Sequence, residues 1–211
     1  MTPAPAESAG PGGRKPRLAA IVLAGGGSSR MGRPKQLVDW GGRPLLERVV
    51  AATLAWPVDR VVTVLGADAE DVLDQVDFGD SMVVLNLEWE EGIASSLRVG
   101  LDTLSRDPLV EAAIVTLGDV PSVPLDVVEA LVARFHHDDC PAVVPRYRYT
   151  WSNPVLVARK LWPRVMSLEG DAGAQGLLKA HPEWVCEVHF DRLPPRDVDT
   201  EADLDELRPR L

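Results

Sequence analysis

Unbroken apolar runs alternate along this chain with segments whose apolar positions recur every three or four residues, and that alternation predicts strands and helices in turn. Residues 18–24 are continuously apolar and β-branched before three glycines, as expected of a strand buried on both faces. Past the glycines, Pro44 opens an amphipathic segment to residue 56 with Leu45, Val49 and Ala52 on one face, a helix begun through proline. Strands are predicted over 60–65 and 82–85, with a helix over 68–76 between them. Ile93, Leu97, Leu101 and Leu104 mark a helix from Gly92, in which Ala94, Ser95 and Ser96 keep the first turn small.

The same rhythm continues. A bare apolar strand over 112–117 stops at Gly118-Asp119-Val120-Pro121, and a helix follows over 125–135. Two short strands, at 143–144 and 154–158, flank an aromatic loop, and a helix over 172–180 leads to a strand at 185–190. Thr200 with Asp203 three residues later resembles a capping box and starts a last helix. Such alternation implies an α/β, Rossmann-like three-layer αβα sandwich: a mostly parallel sheet with helices on both faces. Ligands in such sheets bind at the carboxyl ends of strands, so the loops leaving those ends are where chemistry is sought. The 211 residues suit one domain, here 17–211, behind a Pro/Ala/Gly-rich segment 1–16 expected to be a mobile tail.

Charge narrows the choice. The net formal charge of −10 disfavours general nucleic-acid binding, and no element interleaves aromatic with basic residues. Yet Arg14, Lys15, Arg17, Arg30, Arg33, Lys35, Arg43 and Arg48 stand against only Asp39 and Glu47 in the same stretch, a local +6. Positive charge gathered around a glycine loop suits a small anion. No apolar run is long enough for a membrane helix, and the N-terminus lacks a signal-peptide pattern. Cys140 and Cys186 are far apart with no zinc-ligand spacing, so neither a disulfide framework nor a zinc site is expected, in keeping with a reducing cytoplasm.

The loop itself, Leu23-Ala24-Gly25-Gly26-Gly27-Ser28-Ser29-Arg30-Met31-Gly32-Arg33-Pro34-Lys35, follows a buried strand, where glycines let backbone N–H groups turn toward a phosphate. Arg30 occupies the third-glycine position of the dinucleotide fingerprint, and Arg33-Pro34 replaces the Lys-Ser/Thr of the Walker loop. What remains is a glycine loop followed by two cations, Arg30 and Lys35, suited to a nucleoside triphosphate.

That loop resembles the signature of nucleotidyltransferases that attach a nucleotide to molybdopterin. So do Asn86-x-x-Trp89-x-x-Gly92-Ile93-x-x-Ser96-Leu97, Leu117-Gly118-Asp119-Val120-Pro121, Asn153-Pro154-Val155-Leu156, Gly170-Asp171-x-Gly173 and Asp197-Val198-Asp199-Thr200, in the family's order. The Trp89–Leu97 element and the Gly-Asp-x-Gly turn are most similar to the cytidylyl branch, whereas Leu23-Ala24-Gly25-Gly26 is closer to the guanylyl branch, so the base stays open between CTP and GTP. Ser152-Asn153 stands where the family often has Gly-His. The resemblance implies transfer of CMP from CTP to the terminal phosphate of molybdenum-loaded molybdopterin, with Mg²⁺ as cofactor. Lys35, Arg30 and Asp119 would be catalytic, and Leu23, Ala24, Gly25, Gly26, Gly27, Ser28, Ser96 and Gly118 would join Arg30 and Lys35 in holding the nucleotide. Asp119 and Asp199 would hold the metal. A sugar-phosphate acceptor, or a cofactor carrier that delivers to a molybdoenzyme, are the other readings. Tyr147, Tyr149 and Trp151 offer either a face for a flat pterin or a cover for the core. His136-His137-Asp138-Asp139 is expected to be a helix end rather than a metal site.

Overall fold

The computed structural model describes residues 17–27 and 33–207. Segment 1–16, with its expected tail, lies outside them, as do Ser28 and Arg30. An eight-stranded sheet runs in the order β3-β2-β1-β4-β7-β5, with β6 and β8 also pairing β5. Strands β1 (Arg17–Ala24), β2 (Arg60–Leu65), β3 (Met82–Leu85) and β4 (Val110–Leu117) are mutually parallel. β7 (Val155–Ala158) then runs antiparallel to both β4 and β5 (Ala142–Tyr147), so β5 resumes the direction of β4. β6 (Thr150–Trp151) folds back on the end of β5, and β8 (Val185–Phe190) lies parallel along its other side.

Alternation along β1 decides which layer each residue serves. Ala20, Val22 and Ala24 meet Leu46, Val49 and Val50 of α1 (Leu45–Leu54), together with a buried face of α4 (Leu125–Asp138) that includes Leu131. On the opposite face Ala19, Ile21 and Leu23 meet Leu97, Leu101 and Leu104 of α3 (Ile93–Ser105). That second layer also takes in Trp162 and Val165 of α5 (Trp162–Met166) and Leu178 of α6 (Ala174–Ala180). Two helical layers around one sheet are the expected sandwich. α2 (Ala69–Gln75) contributes Val72 to the α1 side.

A smaller cluster carries the last segment back to the first crossover. Val198 and Leu204 bury against Val38, Trp40 and Leu45, and the Val198 amide donates to the Asp119 carbonyl at 3.0 Å. α7 (Glu201–Leu207) begins with the expected cap: Thr200 N donates to Asp203 Oδ2 at 2.9 Å, and Asp203 N donates to Thr200 Oγ1 at 3.2 Å.

The expectation for the cysteines is overturned. Cys140 and Cys186 form a disulfide, with Cα atoms 6.0 Å apart. Forty-six residues of separation concealed it, because only the parallel pairing of β8 on β5, which sets Cys186 beside Val143, brings the second cysteine home. Paired in this way, the two cysteines do not point to a reducing compartment. Asp138 lies near both sulfurs, but sulfurs bonded to each other are not thiolate ligands. His136 and His137 end α4, as expected. No helix among the described residues is long and apolar enough to cross a membrane.

Candidate active site

Since β1 and β4 are neighbours and parallel, their carboxyl ends open side by side, and the loops that leave them form the two walls of a cleft of about 370 Å³. Leu23, Ala24, Gly25, Gly26, Gly27 and Lys35 line it from the first crossover; Gly118 and Asp119 line it from the end of β4. Ser96 closes it from the first turns of α3. Every described residue of the predicted triphosphate site therefore converges on one cleft.

The loop is held in shape by a residue that the sequence left unmarked. Gln36 is buried, and its Nε2 donates to the Ala24 carbonyl at 3.0 Å and to the Gly26 carbonyl at 3.1 Å. Its neighbour Lys35 begins a single 3₁₀ turn after Pro34, whose fixed φ of −57° brings the chain back over the loop. A lone Gln after Lys gave no pattern to find; only the fold makes it a clamp.

On the opposite wall, buried Asn86 donates through Nδ2 to Ser95 Oγ at 2.7 Å and Ser96 Oγ at 3.0 Å. Ser95 passes its own proton to the Gly92 carbonyl at 2.8 Å. Ser96 accepts from Asn86, so its hydroxyl proton is available to an acceptor in the cleft. Gly92 sits at φ +98°, where a Cβ would come within 2.5 Å of the Gly170 carbonyl oxygen. That absent side chain lets the Gly170 turn lie on the start of α3, where the Ala94 amide donates to Gly170 O at 3.1 Å, and it brings Asp171 to the rim. Trp89 and Asp171, from two of the motifs in the resemblance, also line the cleft, together with Glu90, which no motif marked.

Charge is concentrated at the mouth. Lys35 Nζ donates to Asp119 Oδ2 and lies 3.4 Å from Asp199 Oδ1. Burial by itself would push the ammonium down, but Asp119 and then Asp199 outweigh it and hold its pKa above the ordinary lysine value. Asp119 is raised as well: burial outweighs Lys35, and Asp197 adds a like charge. Both shifts share the contact between Lys35 and Asp119, two charged groups partly withdrawn from water against each other. Asp119 Oδ1 is buried without a hydrogen-bond partner among the described residues. The chemistry of that oxygen suits a hard divalent cation, and Asp199 is the second carboxylate beside Lys35 at this corner.

The aromatic loop turns elsewhere. Tyr147 is buried in the α1–α4 layer and stacks on Phe190 with ring centroids 5.5 Å apart, its phenol pushed up to about 12 chiefly by burial. Trp151 donates its indole N–H to Glu187 at 2.6 Å, and Tyr149 is exposed. Of the two readings, core cover describes Tyr147.

A glycine loop after the first strand of a doubly covered sheet, facing a carboxylate beyond β4, defines a nucleotide-handling α/β protein. The chain belongs to the MobA-like NTP transferase family, whose domain it matches over residues 20–184. It is 30% identical over 199 residues to nicotine blue oxidoreductase of Paenarthrobacter nicotinovorans, covering 88% of this chain and 93% of that protein. It is 38% identical over 120 residues to molybdenum cofactor guanylyltransferase of Rhodobacter capsulatus, covering 56% of this chain and 58% of that protein. Among solved structures it resembles Rv0371c of Mycobacterium tuberculosis in complex with manganese, with TM-score 0.78, 25% identity, and coverage of 92% of this chain and 99% of that one.

Proposed function

We propose that this chain is a Mg²⁺-dependent nucleotidyltransferase that moves CMP from CTP onto the terminal phosphate of molybdopterin, releasing pyrophosphate. One observation carries the reading: Lys35 is held by Asp119 and Asp199 at the mouth of a glycine loop whose shape is pinned by Gln36. A phosphate monoester has a second pKa near 6, so the acceptor already brings an attacking oxyanion at neutral pH. Its oxygen forms a bond to the α-phosphorus while the bridging bond to the β-phosphate breaks. No protein nucleophile or general base is required.

The chain's task is alignment and charge compensation. Amides of Gly25, Gly26 and Gly27 line the triphosphate, and Lys35 offsets charge that grows on the departing oxygens. Arg30 is proposed to hold the outer phosphates and Ser28 to join in binding the nucleotide, though both lie outside the described residues. Asp119 and Asp199 would hold the metal, which when bound supplies Lewis-acid neutralisation of phosphate oxygens. Ser96 offers its hydroxyl proton to the nucleotide.

Cytidine is favoured by the two elements most similar to the cytidylyl branch, because Trp89–Leu97 and the Gly170 turn form one packed unit on the cleft wall. The guanylyl name of the Rhodobacter relative pulls toward GTP. Calorimetric titration with CTP and with GTP, each with Mg²⁺, separates the two, and pyrophosphate release with molybdopterin tests the transfer. If GTP binds and CTP does not, the cytidylyl assignment is lost; dinucleotide binding without pyrophosphate release means a carrier that hands cofactor to a molybdoenzyme. A redox reading is favoured by the near full-length match to nicotine blue oxidoreductase. Reduced pyridine dinucleotide that binds in place of both triphosphates would support it.

A further inference from the structure

Arg17, Arg60, Met82 and Val110 begin β1, β2, β3 and β4, so the amino ends of the four parallel strands gather on the side of the sheet away from the glycine loop. A cavity of about 520 Å³ lies there, lined by three arginines, Arg17, Arg60 and Arg106, and one carboxylate, Asp107. Asp107 cannot satisfy all three. Its Oδ2 lies 3.1 Å from Arg17 Nη1 and 3.2 Å from Arg60 Nη2, while its Oδ1 accepts the Leu109 amide at 3.0 Å. A guanidinium carries more N–H groups than one carboxylate oxygen can take, so both arginines keep donors for another anion. Arg106 pairs with Asp102 at 3.3 Å, but both side chains are exposed, and such a pair is weak enough to open.

The turn beneath this cluster is pinned from the other side. Arg159 donates to the carbonyls of Ser105 at 2.7 Å, of Asp107 at 2.8 Å and of Val110 at 2.8 Å. Those bonds fix the segment that carries Arg106 and Asp107, and they cover the carbonyl end of α3, which would otherwise repel an anion. Three guanidiniums against one carboxylate leave the lining at +2, which a phosphate dianion balances, and the arginine fork matches phosphate oxygens in shape. Met82, Pro108 and Leu109 give the same cavity an apolar side. A neighbouring hollow shares Arg60, Met82 and Thr103 with it and is bordered by Asp59 and Asp80, so a longer phosphate chain reaching that way meets like charge.

We infer that this cavity is a second ligand site, remote from the glycine loop, which takes a compact phosphate monoester: the phosphate on the arginines, the organic body against Met82, Pro108 and Leu109. Nothing in this site depends on the reaction at the glycine loop. The probes are phenyl phosphate and inorganic phosphate, titrated calorimetrically at fixed ionic strength into wild type, Arg60→Gln, Arg106→Ala and Lys35→Ala. Arg106 is exposed, so its replacement spares the fold, and Arg17 still serves Asp107 in Arg60→Gln. Phenyl phosphate should bind wild type more tightly than inorganic phosphate does and weaken about tenfold in each arginine variant, the scale of a lost charge-assisted hydrogen bond. Lys35→Ala should bind it like wild type. Absence of binding to wild type at millimolar phenyl phosphate overturns the site, as does equal affinity in the arginine variants. Binding lost in Lys35→Ala alone would move the phosphate to the cleft by the glycine loop. Inorganic phosphate held as tightly as phenyl phosphate would leave the apolar side without a role and overturn the monoester.

Discussion

Ser96 Oγ stands 2.6 Å from the point where a Cβ on Gly25 would fall, so the first residue of the glycine loop is sized by a helix on the far wall of the cleft. Ser96 cannot simply swing aside, since Asn86 holds its oxygen. Gly25→Ala is therefore expected to displace the loop and weaken triphosphate binding about tenfold, roughly one lost hydrogen bond. The double variant Gly25→Ala/Ser96→Ala removes the colliding oxygen and should recover part of that loss. Calorimetry on the single and double variants decides it; equal affinity of Gly25→Ala and wild type would refute the contact.

Lys35→Ala and Asp119→Asn should each lower turnover by about 10²–10³-fold, the usual effect of removing one charge-compensating group. Thermal stability should hardly move. For Asp119→Asn the reason is that the buried carboxylate is already disfavoured where it lies. An active Lys35→Ala protein would exclude Lys35 from the chemistry, whereas a collapsed melting temperature would make the pair structural.

Glu187 ties three strands together. It accepts from Arg146 at 2.9 Å, from Trp151 at 2.6 Å, and lies 3.3 Å from His189 Nε2. Burial would raise its carboxyl, but the Trp151 and Arg146 hydrogen bonds outweigh it and set the pKa below the ordinary glutamate value. A group depressed in the folded state stabilises above its unfolded pKa, and that contribution vanishes as pH falls through the folded value. Melting curves from pH 7 to 3 should show wild type ahead of Glu187→Gln at neutral pH, with the gap closing below the glutamate range. A constant gap would mean that the charge plays no part.

The disulfide closes a loop of 46 residues between the end of α4 and β8. Bridges of that span typically contribute about 2–4 kcal/mol. Reductant should accordingly lower the melting temperature of wild type and leave Cys140→Ser/Cys186→Ser unaffected. Identical curves with and without reductant would show that the bridge does not form in solution.

Local pattern made the elements legible, and tertiary pairing was what it hid. Strands at 60–65, 82–85 and 185–190 coincide with β2, β3 and β8, because short apolar runs between turn residues have few other uses. α5 was missed: it is five residues long, and Trp162-Pro163 carries no helical period. Nothing local distinguishes the antiparallel β7 from its parallel neighbours, nor shows that β8 lies on β5. The cysteine pairing was lost for that reason. In the site, the glycine loop, Lys35 and Asp119 could be read from strand ends and residue chemistry. Asp199 was reachable only through resemblance, since its approach to Lys35 depends on Val198 docking far from its place in the chain. Gln36 acts on backbone carbonyls inside the fold, and neither spacing nor charge betrays it; Asn86 stood in a motif of the resemblance, but its grip on Ser95 and Ser96 shows only in the fold.

The amide of Val198 hanging from the carbonyl of Asp119 ties two segments far apart in the chain at one corner of the cleft. Asp199, the next residue, is thereby carried to 3.4 Å from Lys35, so whatever loosens the docking of Val198 is felt at the mouth of the cleft.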